Sequence, residues 1–272
     1  MTTLELAPPV TFLDLDGFRM GYREWGPPGA TAAVVLIHGI TSSSLSWVRV
    51  APALADRLRV VAVDLKGHGD SGRPSAGYQF ADQAREVDRL CQALGLTRPV
   101  VIGHSWGGAV ALILATSTSG VRRLVLEDPA IGQRDGDPAE RIRRRDGYAA
   151  SVGLSPQAAA AQVRASVPPG WTEADVVGKI DAVVKASPDA VRAVFDSNPA
   201  WALHDLLPRL ACPTLLLRAP LANGGIVDDE AVSLAESNPN VRVVTVPNAD
   251  HNIHRGQFDA FMAQVEAFLA EG

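Results

Sequence analysis

Short apolar runs recur along most of the chain, separated by longer stretches of mixed character. Ala33–Ile37, Arg59–Val63, Val100–Ile102, Val121–Leu126, Thr214–Leu217 and Val241–Val246 are rich in Val, Ile and Leu. Runs of that length and make-up predict strands covered on both faces, as in the middle of a parallel sheet. Helix-length stretches lie between them. They cover about Trp47–Asp56, Ala81–Leu94 with Gly95 as its stop, a small-residue run after Ser105, Asp228–Ser237, and Phe258–Leu269, whose apolar residues recur at helical spacing. Ahead of them, Thr11–Leu15 and Phe18–Trp25 flank Asp16-Gly17, a hairpin signal, and Gly26-Pro27-Pro28-Gly29 reads as a loop. The alternation predicts an α/β fold: a doubly wound, mostly parallel, eight-stranded sheet.

The rhythm changes after Pro129. From Ala130 to Pro208 no buried strand is predicted. The segment is rich in Ala and Arg and is broken by Pro156, Pro168-Pro169, Pro188 and Pro199, which reads as several short helices. The expected organisation is a core domain of residues 1–129 and 209–272, with a helical cap, residues 130–208, inserted after the sixth strand.

Composition narrows the partners. The chain has 272 residues, 47% of them apolar, enough for one large domain with an insertion. A net charge of −5 argues against a nucleic acid or an anionic membrane surface as partner. Cys91 and Cys212 have no metal spacing and read as buried thiols of a reducing compartment. Met1–Val10 lacks the basic start and continuous apolar stretch of a signal peptide. No run approaches the ~20 apolar residues of a membrane helix. A cytoplasmic protein is expected, as monomer or homodimer. No metal-ligand spacing, phosphate-cradling loop or nucleotide fingerprint appears, so no cofactor is expected.

The candidate chemistry begins at Gly103-His104-Ser105-Trp106-Gly107. An apolar strand precedes it and a small-residue helix follows, the context a G-x-S-x-G nucleophile elbow requires. Ser105 is the candidate nucleophile. The helix after it points its N-terminus at the reacting centre, which favours negative charge there. An alcohol needs a base. His251, between the last strand and the last helix, is the candidate; His254, in the same short loop, is the alternative. Oxyanion donors are expected from the N–H groups of Trp106 and Ile40. His38 and His104 are also readable as residues that hold their loops by hydrogen bonds. Arg141, Arg143, Arg144 and Arg145 read as a solvated helix face, with binding of an acidic substrate or partner as the alternative. Trp171, Trp201 and Tyr148 either line an apolar pocket or pack the cap on the core.

Taken together, these motifs resemble the α/β-hydrolase superfamily, in particular its cap-bearing ester, lactone and carbon–carbon bond hydrolases. The matching pieces are His38-Gly39, Asp64…Gly67-His68-Gly69…Ser71, the Ser105 elbow, Asp128-Pro129 and Asp250-His251, each after a predicted strand. The family usually carries its acid after the seventh strand, where this chain reads Arg218–Val227 without a carboxylate. Asp228 and Asp229 come later and read as a helix cap and first-turn acid. Some members carry the acid after the sixth strand, here Glu127-Asp128. Strand alternation puts these two on opposite faces. Asp128, just past the strand end, is the preferred acid, with Glu127 second. The resemblance implies a cofactor-free serine hydrolase acting on a small apolar ester, lactone or thioester. His38, Gly39, Thr41, Trp171, Trp201 and His254 are expected around the substrate. Carbon–carbon bond hydrolysis or His–Asp oxygenation on the same fold, or a ligand-binding receptor, are the other readings.

Overall fold

A computed structural model of the chain describes residues 7–15, 17–27, 30, 32–118, 120–132, 138–199 and 201–271. Asp16 of the expected hairpin turn, Pro28 and Gly29 of the following loop, and most of Met1–Val10 lie outside the described residues. The strands are β1 Thr11–Leu15, β2 Phe18–Trp25, β3 Ala33–Ile37, β4 Arg59–Val63, β5 Val100–His104, β6 Arg123–Glu127, β7 Thr214–Arg218 and β8 Val241–Thr245. They form one sheet in the order β1-β2-β4-β3-β5-β6-β7-β8. β1 and β2 pair antiparallel, as do β2 and β4; every other pair is parallel. The expected eight-stranded, mostly parallel sheet is the one observed.

Strand alternation splits the core in two. In β3, Val35 and Ile37 join a cluster with Val101, Val110 and Leu126 under α2 (Phe80–Ala93) and α3 (Trp106–Ser117). Val34 and Leu36 join Ile102, Val125, Phe261 and Val265 on the other face, under α1 (Val50–Leu54) and the C-terminal helix Phe258–Ala270. Side chains pointing alternately up and down, each face covered by helices, explain the unbroken apolar runs. Each such side chain contributes roughly 1.5–3 kcal/mol on burial.

Among the described residues the insertion between β6 and β7 holds four α-helices, α4 Pro138–Ala150, α5 Pro156–Arg164, α6 Glu173–Lys185 and α7 Pro188–Ser197, followed by a 3-10 helix, His204–Arg209. Two of the prolines that break the segment start helices. Pro156 and Pro188 stand at the first helical position, behind Ser155 and Ser187, whose side chains accept from Ala158 and Ala190 N–H. An isolated bridge, Gly132 to Ala202, ties the two ends of the segment together.

Several boundaries differ from expectation. Trp47–Asp56 is not one helix but a 3-10 turn, Ser44–Trp47, followed by the short α1. Ser43 accepts from the Leu45 N–H, and Asp64 takes the Ser44 N–H at 2.6 Å, which tightens this turn. β6 starts two residues late and takes in Glu127. The loop after β8 contains a helical turn, α9 Ile253–Gly256; helices α8 Asp229–Glu236 and α10 Phe258–Ala270 complete the set. Asp228 caps α8, accepting from Ala231 N–H at 2.7 Å. Cys91 is buried as expected, but Cys212 is only half-buried.

Candidate active site

The parallel register aligns the strand ends. Ile37 lies opposite Gly103, His104 opposite Glu127, and Glu127 opposite Leu217. The residues that follow, His38, Ser105 and Asp128, therefore emerge side by side. Two backbone hydrogen bonds continue the ladder past the strands: Ser105 N–H to Glu127 O at 2.9 Å and Asp128 N–H to Leu217 O at 2.7 Å.

Ser105 sits at φ 52° and ψ −115°, a conformation that costs a non-glycine residue energy and recurs at functional sites. The two elbow glycines permit it. A Cβ on Gly103 would lie 2.4 Å from the Gly107 carbonyl oxygen, and one on Gly107 would lie 2.3 Å from that of Ile37. Asp128 and Thr41 also have positive φ, at 38° and 58°.

His251 lies between the serine and a carboxylate. The Ser105 hydroxyl donates to His251 Nε2 at 2.9 Å, and His251 Nδ1–H donates to Asp128 Oδ2 at 2.6 Å. Asp128 has no exposed surface, whereas the His251 side chain keeps 28%. Two more donors reach the carboxylate, the N–H groups of Ala219 at 3.4 Å and Ile226 at 3.1 Å. Both come from the segment after β7 that lacks an acid of its own. That segment instead holds the acid supplied after β6. His104 Nε2–H donates to the His251 carbonyl at 2.8 Å and so fixes the loop. Burial pushes the His104 ring well below the usual histidine range, so it stays neutral.

The second carboxylate, Glu127, goes elsewhere. Its Oε1 accepts both the His254 N–H at 2.9 Å and the His254 Nδ1–H at 2.8 Å. The His254 ring stacks on Trp47, with centroids 4.5 Å apart, and is 1% exposed. His254 was expected to line the substrate site or to serve as base. The structure corrects this: the ring is sealed in the core, and Ser105 pairs with His251. Burial lowers the His254 pKa well below normal and raises that of Glu127.

His38 also departs from expectation. It is fully buried, donates from Nδ1 to the Gly39 carbonyl at 2.7 Å, and accepts the Leu65 N–H on Nε2 at 3.0 Å. With both ring nitrogens committed it shapes the turn rather than meeting a ligand, and burial pulls its pKa down to about 4. Gly39 does lie at the serine, since a Cβ there would come 3.2 Å from Ser105 Cβ. The N–H of Trp106 opens α3 and so lacks an intrahelical acceptor, as the first N–H groups of any helix do. Ile40 follows Gly39 in the turn closed by Ser42 N–H to Gly39 O at 3.2 Å. Trp201 packs edge-on to Trp106 and Phe80, and Tyr148 stacks on Phe195. Trp171 lies under the Arg255 guanidinium, 4.4 Å from its ring centre. Arg143 pairs with Glu140, and Arg145 with Asp146 and Asp196.

Two cations beside the site carry no signal in the sequence. Lys179 of α6 donates to the Thr41 carbonyl at 2.7 Å and to its hydroxyl at 3.0 Å. Arg255, 2% exposed, reaches Ser42 Oγ at 3.4 Å. Neither belongs to a motif, and nothing local in the sequence marks them. Among the described residues no cluster of His, Cys, Asp and Glu could hold a metal ion, and no helix is long and apolar enough to cross a membrane.

Comparison with known proteins adds to this picture. A family model for the alpha/beta hydrolase fold matches residues 32–255. Over 260 residues, 93% of this chain and 94% of the other, the sequence is 28% identical to N-formylmaleamate deformylase of Pseudomonas putida. A hydrolase from Pseudomonas aeruginosa superposes with a TM-score of 0.77 at 26% identity, over 96% of this chain and 98% of that one. The enol-lactonase from Burkholderia xenovorans superposes with a TM-score of 0.79 over 96% and 100%; at 24% identity this is a likeness of fold.

Proposed function

The chain belongs to the α/β-hydrolase family, and from that premise we propose that it is a cofactor-independent serine hydrolase of a small carboxylic ester, lactone or thioester. The observation that carries this reading is the unbroken hydrogen-bonded chain from Ser105 through His251 to Asp128. His251 Nε2 takes the Ser105 proton as Oγ attacks the substrate carbonyl carbon. The carbonyl oxygen becomes an oxyanion, met by the N–H groups of Ile40 and Trp106. His251 then passes the proton to the leaving oxygen or sulfur, and the acyl group stays on Ser105. Water enters, gives its proton to His251, and attacks the acyl carbon; the acid departs as Ser105 regains its proton. Asp128 keeps the proton on Nδ1 so that Nε2 faces the serine, and it stabilises the imidazolium that forms. The helices of residues 130–208 act as a cap over the apolar part of the substrate.

Replacing Ser105 with Ala abolishes turnover of a p-nitrophenyl ester on this reading, with an unchanged circular dichroism spectrum and melting temperature. Turnover at the wild-type rate by the folded variant would defeat it. A second reading is favoured by the near full-length similarity to the deformylase. The same serine and histidine would then cleave an N-formyl amide. Release of formate from N-formylmaleamate, absent in the Ser105→Ala protein, selects it over ester cleavage.

A further inference from the structure

Lys179 reaches Thr41 because α6 lies unusually close to the 3-10 turn after β3. Gly178 permits that approach: a Cβ there would stand 3.0 Å from the Leu45 carbonyl oxygen. The ammonium that follows in sequence bonds Thr41, the residue directly after Ile40. Two of its three N–H donors are used, and both acceptors are neutral. No carboxylate of the described residues forms an ion pair with it; the neighbouring charge that acts on it is the Arg255 guanidinium. Arg255 stands behind Ser42, and its buried Nε has no partner among the described residues. Asp175, Glu127 and Asp250 act on it only from farther off, and Asp175 is already paired with Arg49 at 3.1 Å. Two cations thus sit on neighbouring residues of one turn, Lys179 on Thr41 and Arg255 on Ser42, and among the described residues neither forms an ion pair with a carboxylate. Burying like charges in this way is costly unless something negative completes the site.

We propose that Lys179, with Arg255 behind it, receives a carboxylate carried on the acyl chain of the substrate, so that the preferred substrates are monoesters, lactones or amides of dicarboxylic acids. This rests on the hydrolase reading above. The placement follows from the turn itself. Ile40 N–H is to hold the acyl carbonyl oxygen, and the ammonium is fixed to the next residue, within reach of a group a few bonds along the same acyl chain. Burial and Arg255 pull the Lys179 pKa down to about 7. A bound carboxylate reverses that pull and restores the full charge.

The test compares monoethyl glutarate with ethyl pentanoate, which differ by a carboxylate in place of a methyl group. Hydrolysis is followed by pH-stat, and binding to the Ser105→Ala protein by calorimetry. The wild-type enzyme is expected to favour the anionic ester by about tenfold or more in kcat/KM, the scale of one charge-assisted hydrogen bond. Lys179→Met is expected to erase that preference, and Lys179→Arg to keep part of it. A merely structural lysine would lower both esters alike, which would overturn the proposal, as would equal use of the two esters by the wild type. If neither ester is cleaved but the Ser105→Ala protein binds the anionic one more tightly, and Lys179→Met on that background loses the difference, the carboxylate site at Lys179 stands while the ester-hydrolase reading falls.

Discussion

Glu127 and Asp128 are neighbours in sequence, and each holds a histidine of the loop after β8, yet the two pairs are built for different ends. Asp128 lies past the strand end at positive φ, with His251 and the Ile226 N–H on Oδ2 and the Ala219 N–H on Oδ1. The far nitrogen of His251 meets a hydroxyl. Glu127, still in β6, turns the other way into the apolar layer of Trp47 and Phe261. Its Oε2 finds no partner among the described residues. His254 Nε2 makes no hydrogen bond there either, although the Ser46 backbone lies beside the ring. One pair forms a relay that ends at an alcohol and partly faces solvent. The other has the same two chemical groups and ends in the core. Access and the third partner, not the carboxylate–imidazole contact, separate the arrangement proposed as catalytic from the sealed one.

The sharpest way to break this comparison is to neutralise each acid in turn. Asp128→Asn should lower kcat by about ten-thousandfold, because an amide can no longer hold the proton on His251 Nδ1 and stabilise the imidazolium. Glu127→Gln should cost far less activity than the roughly hundredfold that an ångström of misplacement brings. Its effect should appear in the melting temperature. Steady-state kinetics and thermal melts on the two variants check both; equal losses of activity would erase the distinction.

How far the chain announced this arrangement depends on the range of the forces involved. The sheet is legible because its inner strands are short apolar runs buried on both faces and set between helix-length stretches. The Ser105 elbow is legible because two glycines flank the serine within five residues. The divergence of Glu127 from Asp128 is foretold by strand parity, although Asp128 lies past the strand end at positive φ. The burial of His254 is not, since it depends on Trp47 and Phe261, which come from opposite ends of the chain. The single helix expected over Trp47–Asp56 fails because Ser43 and Asp64 tighten its start, and Asp64 acts from the end of another strand. Lys179 is silent for the same reason: only the closeness of α6 to Leu45, permitted at Gly178, brings it to Thr41.

The next largest effect falls on stability. His254→Leu removes the imidazole and leaves the buried Glu127 with only the backbone N–H of residue 254, a loss of about 1.5–3 kcal/mol, the scale of a hydrogen bond to a charged group. Replacing both residues with Leu should recover most of the loss, because an apolar pair of similar volume needs no compensation. Chemical denaturation of the single and double variants measures this. A double variant no more stable than His254→Leu would show that the sealed pair stabilises the fold beyond satisfying its own charge.

The smallest effect is the pH signature of the sealed pair, and its sign can be worked out. The His254 pKa is well below its unfolded value, chiefly through burial. Above an unfolded pKa near 6.5 both states are neutral at this ring and its contribution to stability is complete. As the pH falls below that value, the unfolded chain binds a proton that the folded chain refuses, and the wild-type protein loses stability. The His254→Leu protein has no such proton to bind. Its stranded Glu127, already raised by burial, takes up a proton instead and loses the cost of a buried charge. Both changes act in one direction, so the stability gap between the two proteins narrows between pH 6.5 and 4.5, by at most about 1.4 kcal/mol per pH unit for each proton involved. Denaturation curves at pH 7.5, 6.0 and 4.5 read the gap directly. A gap that widens toward acid would mean that His254 is charged in the folded protein, and the contrast between an open pair proposed to move protons and a closed pair that does not would be lost.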